Sequence, residues 1–209
     1  MNAPYHHGNL REALLTRAIE TLSEKGVEHL SLRALARDLG VSHAAPLRHF
    51  ATKADLLNAI AIEGVENLIA ATDEVRAEAP GVARLRAMAL AYVDWAIAHT
   101  ALHQVLRNPD VMRHASDELN ALLLAFADRQ KREIAAAQSQ GWRSDEDPEV
   151  LFLHLVSLTA GTAIVMTEDV YRDPVMTASS RDKVAASLDL FFGQRLSCTE
   201  PSIADGRGH

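Results

Sequence analysis

LSLRALARDLGVSHAAPLRHFATKADLL, residues 30–57, decides how this chain reads. Ser31 supplies a hydroxyl able to accept from the first free backbone N–H groups of a helix. Leu32, Leu35, Ala36 and Leu39 then recur at three- and four-residue spacing along one face. Gly40 supplies the left-handed residue that closes the helix after about two turns. Ser42 starts a third short helix that runs to His49. Thr52 and Asp55 have the pairing of a capping box for a fourth, which continues through Leu56, Leu57, Ile60 and Ile62 toward Val75. Two short helices joined by a tight turn at Gly40-Val41-Ser42 meet at a steep angle, the arrangement that lets the second lie in a DNA major groove. Small Ala36 permits close approach, while Leu35, Leu39 and Val41 bury the seam. An ordinary hairpin in a helical bundle has the same spacings, so spacing alone leaves DNA binding open.

Outward from this stretch the pattern stays helical, with no run alternating at a period of two. Asn9 and Glu12 have capping-box spacing for a first helix, whose stripe is Leu15, Ala18, Ile19 and Leu22 and which Gly26 ends. After Pro80-Gly81, longer helices are predicted over 82–106, 116–139, 148–168 and 181–196. Asn108-Pro109, Gly141 with Asp145-Glu146-Asp147, and the polar stretch 172–180 separate them. The expected fold is all-α: an N-terminal helix-turn-helix domain over 1–62, a helical effector-binding and dimerisation domain over 63–196, and a disordered tail over 197–209.

The totals narrow the function classes. Of 209 residues, 48% are hydrophobic and 23% charged, a globular composition. The lone Cys198 has no partner for an internal disulfide, which fits a reducing compartment and a cytoplasmic location. The opening residues lack the basic-then-apolar order of a secretory signal. The apolar run from Val150 to Met166 is interrupted by His154, Ser157, Thr159 and Thr162 and falls short of the ~20 residues that cross a bilayer. It reads as a buried helix, with no membrane partner. The net charge is −7, yet residues 1–60 hold seven Lys/Arg against six Asp/Glu, so the acidity belongs to the remainder. Five of the ten histidines also lie in 1–60. A mildly basic reader on an acidic body has this asymmetry.

The helix-turn-helix stretch resembles the TetR family of repressors. The resemblance rests on a capped first helix before Gly26-Val27, on Leu32-Arg33-Ala34-Leu35-Ala36, and on Leu39-Gly40-Val41-Ser42. His49-Phe50 closes the reading helix, and Lys53 with Leu56-Leu57 opens the next. The opening Tyr5-His6-His7-Gly8-Asn9-Leu10-Arg11 is similar to one subgroup. The match covers about residues 5–62. It implies a homodimer on a palindromic operator in double-stranded DNA, release by a small-molecule effector, and no catalytic activity. By matching positions it assigns Ser42, His43, Ala44, Ala45 and Arg48 to the DNA-reading segment, with Arg48 suited to a bidentate contact to guanine and an alanine to a thymine methyl. Arg33, His49 and Lys53 are assigned to phosphates, with backbone donors from the fourth helix. His6 and His7 are candidates for an auxiliary contact. Family members usually carry a phosphate-binding Tyr where this chain has Leu47, which lowers the expected affinity without changing which bases are read. Pro46 replaces an aliphatic residue and is tolerated in a first helical turn.

The second domain carries no motif. Val150, Leu151, Leu153, Leu155, Val156, Leu158, Ala160, Ile164 and Val165 spread over more than one face, and Leu188, Leu190, Phe191 and Phe192 give the last helix the same character. Cover from a partner subunit is expected, with internal core as the alternative. Met88, Tyr92, Trp95, His99, His103, Phe126 and His154 offer aromatic and polar groups at helical spacing as a candidate effector pocket, a pattern that plain core also produces. His99 and His103 have the i, i+4 spacing of metal ligands, but no third ligand adjoins them, so no metal is expected. No cofactor is implied. A small helical enzyme is the main alternative, against which stand the lack of a nucleophile–base pair and of a Gly-rich phosphate loop. A helical scaffold that binds only protein is the next.

Overall fold

The computed structural model describes residues 10–75, 80–168 and 181–193. Among them the regular elements are all helical: α1 (Leu10–Lys25), α2 (Leu32–Asp38), α3 (Lys53–Asp73), α4 (Val82–Ala98), α5 (Thr100–Leu106), α6 (Pro109–Arg113), α7 (Asp117–Ser139), α8 (Pro148–Thr167) and α9 (Arg181–Phe192). Asn9 and the 197–209 tail lie outside the described residues.

Local chemistry sets most of the boundaries. Gly26 ends α1 at φ 83°, its N–H bonded to Leu22 O at 3.0 Å. The Ser31 hydroxyl accepts from Ala34 N at 3.1 Å and starts α2. At the start of α3, Thr52 Oγ1 accepts from Asp55 N at 3.1 Å while Asp55 Oδ2 accepts from Thr52 N at 2.9 Å, a complete capping box.

Two expectations are corrected. The helix expected over 82–106 breaks at His99, which leaves the helical region at φ −124°, ψ 51°. No Gly or Pro marks this bend; α5 turns there because Ala101, Leu102 and Val105 bury themselves against α1 and α3. Asn108-Pro109, expected as a connection, instead opens α6. The Asn108 side chain accepts from Asp110 N and Val111 N, and Pro109 takes the first helical position, where its missing N–H costs nothing.

One core runs from α1 through α3 into Trp95, α5 and α7, and a second joins α4, α7, α8 and α9. Helix α3 passes without interruption through residue 62, so the helix-turn-helix unit and the body share a continuous spine. Helix α8 differs from expectation in two respects. It is 20 residues long with a mean hydropathy of 1.9, which by length and composition suffices to cross a membrane, and only 22% of its apolar window is buried in this chain. Leu151, Leu155, Thr159 and Ala163 form its buried face, and α4 is its main neighbour. Val150, Leu153 and Val156 remain exposed, as does Leu190 of α9 at 83%.

Candidate nucleic-acid interface and effector site

The reading segment is shorter than a third α-helix. Residues 43–45 form turns, and a single 3-10 turn spans Pro46–Arg48. Ser42 contributes its carbonyl, which accepts from Ala45 N at 3.0 Å, and no side-chain cap. Pro46 and Phe50 anchor the segment: both are buried, their turn packs on α1 and α2, and the Arg11 guanidinium lies 5.5 Å over the Phe50 ring. With 46 and 50 turned inward, His43, Ala44, Leu47 and Arg48 are all exposed. Ser42 and His49 are exposed as well, and Ala45 is half-buried.

Gly40, at φ 67°, provides the turn that carries the chain from α2 into this segment. The orientation of α1 against α2 is held by Arg17, whose guanidinium donates to Asp38 Oδ2 at 3.2 and 3.1 Å. Arg33, near the start of α2, is exposed. Among the described residues neither Arg33 nor Arg48 has an ion-pair or hydrogen-bond partner for its guanidinium. Lys53 is different: its ammonium donates to Val27 O at 2.6 Å, leaving two of its three N–H groups for another acceptor. Of the first-turn donors of α3, the Asp55 N–H is already taken by Thr52. His6 and His7 lie outside the described residues.

Leu47, at the position where family members carry a phosphate-binding Tyr, stands 54% exposed. One feature escaped the sequence. Asn58 on α3 clasps the corner between α6 and α7, donating to His114 O at 3.1 Å and accepting from Ser116 N at 2.8 Å. No spacing or cap pattern announces an asparagine that bonds to backbone 56 and 58 residues away.

In the body, the structure brings four of the seven effector candidates into one cluster. Tyr92 OH lies 3.2 Å from His103 Nε2, the Trp95 ring stands edge-on to His103 at 6.2 Å, and His99 lies 5.8 Å from Trp95. Met88 is buried one turn before Tyr92 on α4, and Phe126 of α7 packs against the core that contains Trp95. His154 lies apart. It is exposed on α8, with Nδ1 3.0 Å from Val150 O and its ring stacked on Phe191, because the inward face of α8 belongs to 151, 155, 159 and 163. His99 and His103 are likewise separated by the bend: His99 is exposed and His103 is 1% exposed. Among the described residues no group of three or more metal-ligating side chains gathers. Burial, aided by the nearby Arg107 charge and opposed by Glu168, lowers the His103 pKa to about 4. Burial also raises the Tyr92 hydroxyl, against Arg107.

Residues 14–60 match the family of bacterial regulatory proteins known as the tetR family. A solved structure of a protein of unknown function from Rhodococcus sp. RHA1 is 35% identical, covering 92% of this chain and 98% of that one, with a TM-score of 0.73. A tetR-family bacterial regulatory protein from Rhodococcus RHA1 shares the fold at 24% identity, over 88% of this chain and 95% of its own, with a TM-score of 0.66. The nucleoid occlusion factor SlmA of Haemophilus influenzae is 28% identical over 159 residues, 72% of each chain. The family match over the helix-turn-helix, set in a fold shared with a solved tetR-family regulator, supports a DNA-binding regulator.

Proposed function

We propose that the protein is a homodimeric repressor that binds a palindromic operator in the cytoplasm and leaves it when a small molecule occupies the body. The observation that carries this reading is the outward face of the reading segment: His43, Ala44, Leu47 and Arg48 are exposed beside a buried Pro46–Phe50 anchor, and Arg48 has no partner among the described residues. An arginine so placed is free to take guanine O6 and N7. Arg33, His49 and the unused donors of Lys53 then hold phosphates, which position the reader without specifying sequence.

The dimer follows from α8 and α9. Val150, Leu153, Val156 and Leu190 are exposed on these helices, and an open groove of about 360 Å³ between them is lined by Leu158, Gly161, Val165, Met166 and Val184 among others. An apolar surface of this kind on a regulator is covered by its own copy, and a two-fold dimer presents two reading segments to half-sites one duplex turn apart. The Tyr92–Trp95–His103 cluster, with Met88 and Phe126, is the effector site within this reading.

Mobility shift with DNA from upstream of the protein's own gene, run across a salt series, tests the proposal. Sequence-selective retention that weakens steeply with salt is expected. Retention of no fragment, or equal retention of all of them, overturns it. Sedimentation of Leu190→Glu against the parent chain tests the dimer: the variant is expected to run as a folded monomer with weakened operator binding, and an unchanged dimer refutes the assigned interface.

A further inference from the structure

The buried cluster in the body has an unfilled hydrogen-bonding demand. Among the described residues, three buried side-chain polar atoms have no partner: Arg84 Nε, Trp95 Nε1 and His103 Nδ1. The last two belong to neighbouring rings on side chains that are 4% and 1% exposed. A buried polar atom left without a partner is costly, so two on adjacent rings call for a third molecule that accepts from them.

The rest of the chain shows how these groups are normally satisfied. Trp142 Nε1 donates to Phe192 O at 3.1 Å. His114 and His154 each turn Nδ1 to the carbonyl four residues back, at 2.9 and 3.0 Å. His103 instead spends Nε2 on the Tyr92 hydroxyl. With that hydroxyl donating, Nε2 is the bare nitrogen, and the neutral imidazole carries its proton on Nδ1. Both unpartnered atoms are then N–H donors, on two rings that each pack against the Tyr92 ring.

We propose that the effector is an uncharged, largely apolar molecule bearing a carbonyl oxygen, which accepts hydrogen bonds from Trp95 Nε1–H and His103 Nδ1–H. The assignment rests on the effector-controlled reading above. A carboxylate suits the site poorly. His103 stays neutral at physiological pH, and the nearby Arg107 is engaged by Glu168 at 3.2 Å, so burying an anion there would go uncompensated.

The two indoles make the test internal to the full-length dimer. In a nitrogen-15 correlation spectrum, Trp95→Phe identifies the Trp95 indole signal, and Trp142, already bonded to Phe192, serves as reference. Acetophenone, cyclohexanone and 2-octanone are titrated beside ethylbenzene, cyclohexane and octane, and beside benzoate, cyclohexanecarboxylate and octanoate. At least one ketone is expected to move the Trp95 signal downfield while Trp142 stays. Its matched hydrocarbon and carboxylate are expected to bind tenfold or more weakly, and His103→Phe to weaken the ketone about tenfold, or 1.4 kcal/mol. An unmoved Trp142 signal certifies that the variant is folded, and His103→Gln, which keeps an N–H donor, recovers part of the loss.

Failure of all three ketones overturns the inference. So does equal binding of the hydrocarbon, tighter binding of the carboxylate, or a Trp95 N–H that cross-relaxes only with water. Mobility shift separates this from the underlying reading. Operator binding with no ketone response at Trp95 refutes the ligand class alone, whereas ketone binding that never releases DNA refutes effector control.

Discussion

The reading segment and the helical body treat their cations in opposite ways. In the body, Arg84, Arg86, Arg107, Arg113, Arg129, Lys131 and Arg181 each face a carboxylate, several of them tying one helix to another. Arg86 with Asp189 and Arg181 with Asp94 fasten α9 to α4, and the Arg86 guanidinium holds the Asp189 carboxyl below its ordinary range. Around the helix-turn-helix, Arg17 plays the same structural part and Arg37 faces Asp38, but Arg33 and Arg48 are left with no anion among the described residues. A guanidinium already paired gains little from a phosphate or a base edge, because the existing partner must first be given up. Among the described residues the paired cations hold the body together, whereas the two guanidiniums proposed to meet DNA are left unpaired, a distinction that net charge conceals.

The comparison can be broken most forcefully through the core that both regions share. Ile60, fully buried on α3, joins them, so Ile60→Ala should cost about 2–5 kcal/mol and shift one cooperative urea transition. Two separated transitions would show that reader and body are independent units. Next in size is the pH response of the body. His103 in the folded chain titrates near 4, below its ordinary value of 6.5, so the unfolded chain binds more protons between these limits. Stability from this group is complete above about pH 6.5 and is lost as pH falls toward 4, by roughly 3 kcal/mol. Urea melts at pH 7 and 4 should show that component in the parent chain and not in His103→Phe; identical pH slopes would place His103 in a wetter setting.

On the reading side, Arg48→Ala should cost about 1–3 kcal/mol on the preferred operator and flatten the preference at particular base pairs, as measured on a set of single-base variants. A uniform loss over all sequences would move Arg48 from base to phosphate. The smallest expected effect sharpens the case of Lys53, which stands between the two behaviours because its ammonium is partly spent on Val27 O. Lys53→Ala should weaken every sequence alike and lower the salt slope by about one. An unchanged slope would leave it a purely structural tie between α3 and the loop before α2.

Legibility followed the range of the interaction. The caps at Ser31 and Thr52, the glycine closures at 26 and 40, and the boundaries of α7 and α8 could be read because each is set by groups within a few residues of one another. Even a misread signal such as Asn108-Pro109 was local, an N-cap and first-turn proline taken for a break. The bend at His99 carries no local mark, since burial of Ala101, Leu102 and Val105 against distant helices overrides a sequence that would continue as one helix. The same limit applies to the sites. Helical spacing placed Met88, Tyr92 and Trp95 together, but only the packing of α5 on α4 decided that His103 closes on Tyr92 while His154 faces elsewhere.

By itself, then, the sequence determined the all-helical class, the helix-turn-helix and the residues that form its turn, because periodicity and capping act over one or two turns of chain. Tertiary structure alone decided which cations stay unpaired among the described residues, and that two buried ring nitrogens are left without partners. Those outcomes depend on groups far apart in the chain meeting or failing to meet, and no short stretch of residues encodes such a meeting.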